Sequence, residues 1–226
     1  MKFRNRYIFI LFSIINICSC KKSAVEIAPT GSLMIINAIP GGATVKLNNY
    51  TGTVPNNAGA YFSLMTGRET LYVWPQGDSL HPYFNTAKEI GDGDIYSLFL
   101  TGSIAAPEAV LVKEALPYRT DSTAGIRFIN LSPNSTPLNI TLSTTPTVNE
   151  VSNLGYKAYT EFKTYAGLYN SAYTFQVRAA NNPNVVLTTF ALTTSTVPRF
   201  ASITVVIRGM VGVSPAIGTI RVNNDR

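Results

Sequence analysis

The chain is expected to be all-β, built as two tandem immunoglobulin-like antiparallel sandwiches behind a leader. Three observations carry that expectation. Thr, Val, Ile, Tyr and Phe recur in short runs that Gly, Pro and Asn interrupt, which is strand-and-turn punctuation. Hydrophobic residues make up 46% of 226 and charged ones only 13%, so the chain can form cores. One strand pattern occurs twice: Ser32-Leu33-Met34-Ile35-Ile36-Asn37-Ala38-Ile39-Pro40 and Gly125-Ile126-Arg127-Phe128-Ile129-Asn130-Leu131-Ser132-Pro133. In the second copy Ile126, Phe128 and Asn130 share one face, and Arg127, Ile129 and Leu131 the other. Each copy ends at a proline, which lacks the donor a ladder needs.

The amino terminus comes first. Met1 to Arg6 is cationic and Tyr7 to Ile17 is apolar but short for a membrane span, the form of a secretory signal over residues 1–19. Ile17-Cys18-Ser19-Cys20 follows and resembles the lipobox of bacterial lipoproteins. The resemblance implies cleavage before Cys20 and a diacylglyceryl thioether on its sulfur, with membrane attachment through that lipid. Cys18 and Cys20 are the two cysteines of the sequence, so the mature chain would carry no disulfide. Residues 20–30 read as a polar tether. Similarity to Gram-negative lipoproteins, with no Asp after Cys20, implies sorting to the outer membrane, on a face the sequence leaves open.

The first sandwich is expected over 31–115. Its strands are Leu33 to Asn37, Thr44 to Asn48, Tyr61 to Met65, Glu69 to Trp74, Ile95 to Thr101 and Ala109 to Lys113, with turns at Gly41-Gly42, Thr66-Gly67 and Gly91 to Asp94. Residues 116–123 look like a linker. The second sandwich, 124–226, repeats the order: Gly125 to Leu131, Leu138 to Leu142, Tyr159 to Gly167, Tyr173 to Arg178, Ala201 to Gly209 and Ile217 to Val222. A half of about 100 residues can bury enough surface to fold alone, so separately folding halves are expected.

Arg127 to Pro133, Leu138-Asn139-Ile140 and the Ala166-Gly167 turn resemble the domain-of-unknown-function 4397 (DUF4397) family, best in the second repeat. The resemblance implies an extracytoplasmic sandwich and no particular reaction.

Charge excludes one class of partner. With the leader removed, 15 basic residues face 12 acidic ones, a net of +3 without a basic cluster, so no nucleic-acid footprint is present. His81, the sole histidine, lies in a loop and has no second histidine or mature cysteine pair for a metal site. Asp92-Gly93-Asp94 reads as a turn. No catalytic residue and no cofactor are assigned. The aromatics have the one functional pull: Trp74, Tyr156, Tyr159, Tyr165, Tyr169 and Tyr173 could stack on a ligand if exposed. The expected function is a non-catalytic cell-envelope lipoprotein serving as spacer or interaction module. A glycan- or peptide-binding protein feeding an uptake system is the alternative.

Overall fold

The computed structural model describes residues 28–224, so the signal segment and Cys20 lie outside the described residues. Sixteen strands follow in order. The first repeat holds β1 (Thr30–Asn37), β2 (Val45–Leu47), β3 (Thr53–Val54), β4 (Ala58–Met65), β5 (Gly67–Pro75), β6 (Phe84–Ile90), β7 (Ile95–Gly102) and β8 (Pro107–Lys113). The second holds β9 (Thr123–Asn130), β10 (Leu138–Leu142), β11 (Thr145–Leu154), β12 (Lys163–Ala166), β13 (Tyr173–Ala179), β14 (Asn182–Leu192), β15 (Ala201–Arg208) and β16 (Gly218–Asn224). Sheet orders are β4-β1-β7-β8 and β3-β2-β5-β6 in the first repeat, β12-β9-β15-β16 and β11-β10-β13-β14 in the second. Adding eight to each strand of the first repeat reproduces the second, so the repeated motif reflects a repeated topology.

Two of the four sheets are mixed, and the other two are purely antiparallel. β1 runs parallel to β7, and β9 to β15. A parallel pair needs a long crossover, and here five strands intervene.

Each sandwich has its own core. Leu33, Ile35, Leu71, Val73 and Leu98 pack in the first; Ile126, Phe128, Phe175, Val177 and Val205 pack in the second. Strands of the outer sheets alternate, as in β5, where Leu71, Val73 and Pro75 point inward and Tyr72 and Trp74 outward. β1, β7, β9 and β15 do not alternate; nearly every residue is buried.

A third cluster explains this. Met34, Ile36, Ala38, Phe99, Val110 and Val112 of the first repeat pack against Ile129, Leu131, Val206, Ile220 and Val222 of the second. The ladders make these the same positions: Phe99 corresponds to Val206, Val110 to Ile220, Val112 to Val222. The two repeats meet through the same patch, as protomers of a two-fold dimer do, and the result is four stacked sheets. Ile36, Ile129, Leu131 and Val206 in this seam are as fully buried as the residues of either core. A half separated from its partner would expose this patch, which weighs against separately folding halves.

The Asn of each repeated motif has a structural task. Asn130 donates from Nδ2 to the Leu154 carbonyl at 3.1 Å and accepts from the Ser132 amide at 3.0 Å. Asn37 donates to the Ala43 carbonyl at 2.8 Å. Both lie fully buried where the chain leaves one sheet for the other. An amide there satisfies carbonyls that the ending ladder no longer reaches.

Candidate functional site

Parallel strands give the body two distinct ends. The chain enters at Thr30, beside the β6–β7 turn, where the Gly93 amide donates to the Thr30 carbonyl at 3.0 Å. The opposite, distal end holds the loops after β1, β7, β9 and β15. The stack is in register, since Thr101 at the end of β7 donates from its hydroxyl to the Leu131 carbonyl just past β9, at 2.8 Å.

Between the repeats at the distal end is a cleft of about 350 Å³, lined by Pro40, Gly102, Ser103, Glu108, Pro133, Met210 and Pro215 among others. Pro40 and Pro133 are the two prolines that stop the repeated strand, so the motif builds both walls. Gly102, the last residue of β7, and Gly209, just after β15, have φ +84° and +85°, a region a side chain rarely adopts. A Cβ at Gly209 would stand 2.3 Å from the Ala216 carbonyl oxygen.

Polar groups converge on Glu108. Tyr156 donates its hydroxyl to Glu108 Oε1 at 3.2 Å, and Lys157 pairs with Oε2. The Lys157 ammonium holds the Glu108 carboxyl below its ordinary value, while burial, aided by Glu108, raises the Tyr156 phenol.

Two grooves flank the cleft. One, about 540 Å³, is lined by Asp78, His81, Pro82, Tyr83, Ile104 and Pro107; the other, about 510 Å³, by Val186, Leu187 and the loop from Met210 to Ile217. His81 Nδ1 sits 2.9 Å from Asp78 Oδ2 on open surface, and this contact depresses the Asp78 carboxyl. An acid–histidine pair acts on a hydroxyl or thiol held by the other ring nitrogen; among the described residues no such hydrogen bond is made. No group of three or more His, Cys, Asp or Glu able to hold a metal occurs among the described residues. Asp94 is occupied at its turn: it accepts from the Gly91 amide at 3.0 Å and the Tyr96 hydroxyl at 3.1 Å, and pairs with Lys113 at 2.7 Å.

The aromatics read from the sequence do not form one platform. Trp74 lies half-buried on the outer face of the β3-β2-β5-β6 sheet, with the Lys46 ammonium 5.6 Å from its ring. Tyr156 does not line the cleft and places its hydroxyl on Glu108, which does. Tyr159 bridges to Ile129 beside the Arg127 guanidinium, 5.8 Å from its ring. Tyr165 is 8% exposed, packed edge-on against Phe175 and Tyr173 at 5.4 and 5.3 Å, with its hydroxyl on Glu150. Stacking needs an open face, so Tyr165 is a core residue. Tyr169 stands exposed at the opposite end from the cleft. Tyr173 donates its hydroxyl to the Ala166 carbonyl at 2.9 Å.

The polar heart of the seam escapes a sequence reading. Arg127 and Glu114 pair there with side chains 5% and 2% exposed. Arg127 also donates from Nε to Thr204 Oγ1 at 2.8 Å and lies 4.5 Å from the Phe162 ring centre. The available signal is a lone cation inside the apolar run Gly125 to Leu131.

Comparison with known proteins adds the following. The model of the family described as Domain of unknown function (DUF4397) matches residues 31–141. That span covers the first repeat and runs through β9 into β10, so it takes in Arg127 to Pro133 and Leu138 to Ile140 and stops before Ala166-Gly167. Among solved structures, the chain is similar to CBMbc (family CBM26) from Eubacterium rectale Amy13K in complex with maltoheptaose. Identity there is 7%, coverage 87% of this chain and 98% of that one, and the TM-score 0.29. It is also similar to the Bacillus anthracis TIE protein, at 16% identity, covering 81% of this chain and 34% of that one, with a TM-score of 0.25. No curated protein matches the chain.

Proposed function

From the premise that residues 31–141 belong to the DUF4397 family, we propose that the protein is a non-catalytic cell-envelope lipoprotein. It works as a spacer or interaction module, anchored through a lipid on Cys20 and presenting its distal loops to a partner. The observation that carries this reading is the apolar seam. It makes two sandwiches one stiff body, with the tether entering at one end and the motif prolines gathered at the other. A flexible pair of domains would not hold a partner at a fixed height; a fused stack does. The Cys20 motif and the lack of Asp after it support an outer-membrane address in a Gram-negative envelope.

Photo-crosslinking in cells tests the reading. A photoreactive residue at Ser103 or Ser214, on the distal cleft, should yield adducts with envelope components; one at Thr86, on the edge strand β6, should not. Absence of adducts from every distal position would overturn it.

The second reading is a glycan- or peptide-binding protein feeding an uptake system. Three concavities at the distal end favour it, against one of about 490 Å³ at the tether end lined by Gly93 to Ile95 and Lys113 to Leu116, because small-ligand sites are concave with a few fixed polar groups. Glu108, Tyr156 and Lys157 would be those groups. A glycan and peptide array probed with the mature chain and with Glu108→Gln decides between the readings.

A further inference from the structure

We propose that the tether-end loops of the second repeat form a foot that rests in the lipid–water interface of the bilayer holding the anchor. The inference deepens the anchored-module reading and rests on it.

Two loops make the foot. Residues 167–172 join β12 to β13, and residues 193–200 join β14 to β15. Both hang on the start of β9: the Gly167 amide donates to the Ser122 carbonyl at 2.8 Å, and the Phe200 amide to the Thr123 carbonyl at 3.1 Å. They touch each other as well. A Cβ at Gly167 would stand 3.0 Å from the Pro198 carbonyl and 2.3 Å from that of Ser122, so only glycine lets the loops close up.

Their tips are apolar and outward. Leu168, Tyr169 and Phe200 are 63%, 80% and 56% exposed. Phe200 holds a left-handed backbone, φ +55°, which a bulky residue adopts only when its surroundings impose it. The Arg199 guanidinium lies 5.3 Å from the Tyr169 ring centre. Neither loop contains Asp or Glu. An aliphatic tip, two aromatic rings and one cation, with no anion, is the chemistry that partitions to a phospholipid headgroup layer.

Placement selects the bilayer as the occupant. Nine residues separate Cys20 from Thr30, ten backbone steps with a reach of at most about 35 Å. Thr30 starts β1 and Thr123 starts β9 at the same end of the stack, so the foot lies on the side the tether enters.

The test uses the full chain, purified with its lipid and reconstituted into phosphatidylethanolamine–phosphatidylglycerol vesicles with brominated acyl chains. In a Trp74→Phe background, Tyr169→Trp places the sole indole on the foot; Phe200→Trp is the second variant. The protein with Trp74 alone is the control, and palmitate labelling of Cys20 is read on the same samples. The proposal expects loss of emission from either introduced indole on brominated lipid, with Trp74 unquenched. Labelled protein whose introduced indoles stay unquenched would overturn the foot and leave the anchor standing. Labelling that persists in Cys20→Ala would overturn the anchor, and the foot with it.

Discussion

Removing the Glu114 carboxylate should cost more than any single surface change in this protein. Arg127 enters β9 from the motif, and both its side chain and that of Glu114 are almost fully buried in the seam. Glu114 Oε2 accepts from Arg127 Nη1 at 2.8 Å, and Oε1 pairs with Nη2. Thr204 accepts from Nε and in turn donates to Asn224 Oδ1 at 2.7 Å. Glu114→Gln keeps the shape but leaves the guanidinium buried without its counter-charge and turns an amide N–H toward it. Breaking one side of a buried pair costs about 3–5 kcal/mol, a large part of the roughly 5–15 kcal/mol of a typical protein. With a urea m-value of about 2–3 kcal/mol/M, the midpoint should fall by roughly 1–2.5 M. Arg127→Met with Glu114→Met removes both charges and should recover most of that loss, because an apolar pair of similar volume is often neutral or better. Urea titrations of the parent, Glu114→Met, Arg127→Met and the double variant close the cycle and read the coupling directly. A Glu114→Gln midpoint within experimental error of the parent, or a double variant as unstable as the single, would refute the argument that the pair is a buried electrostatic unit.

Three further outcomes follow from the structure. Asn130→Ala orphans the Leu154 carbonyl and the Ser132 amide, and should lose about 1–3 kcal/mol by denaturant titration; Asn130→Asp should not restore it, since a carboxylate cannot donate to Leu154. Gly209→Ala forces a side chain at positive φ against the Ala216 carbonyl and should cost more than about 1 kcal/mol in the same assay. Glu108 and Asp94 are held below their ordinary values, first by Lys157 and Lys113 respectively. A lowered carboxylate contributes fully above its unfolded value, near about 4, and the contribution disappears as pH falls through the folded value. Stability between pH 5 and 2 should therefore decline less steeply in Glu108→Gln than in the parent; an equal slope would show the pair contributes nothing.

The strands legible in the sequence and those that were not divide by position. β1, β7, β9 and β15 announce themselves because they are buried on both faces; Ile203 to Ile207 has a single polar residue, Thr204, and that one is satisfied inside the seam. β5 and β13 show alternation because one face meets a core. The strands that the sequence reading passes over, β3, β6, β11 and β14, are the edges of the two outer sheets. An edge strand pairs on one side and buries little: Thr145 to Asn153 and Asn182 to Thr188 contain no fully buried residue, and Val148, Val185 and Val186 stand exposed. Without a regular buried face such a strand shows no alternation in the sequence. The seam was legible in part: Arg127, Ile129 and Leu131 read as one face of a strand whose other face already filled a core. What covers that second face is long-range information. Glu114 and Arg127 lie in different repeats, on either side of the apparent linker. The aromatic reading failed at Tyr165 for the same kind of reason, since a tyrosine in a strand looks alike whether its ring meets solvent or Phe175.

The fused stack is tested most directly by unfolding each repeat under its own reporter. Trp74 is the sole tryptophan and lies in the first repeat. Tyr173→Trp in a Trp74→Phe background moves the indole to the second. Urea titrations of the two mature proteins, each referenced to its circular dichroism transition, should show fluorescence and dichroism coincident in both, one cooperative unit with a shared seam. Fluorescence midpoints that bracket a biphasic dichroism curve, with one repeat melting while the other stays folded, would contradict a single body.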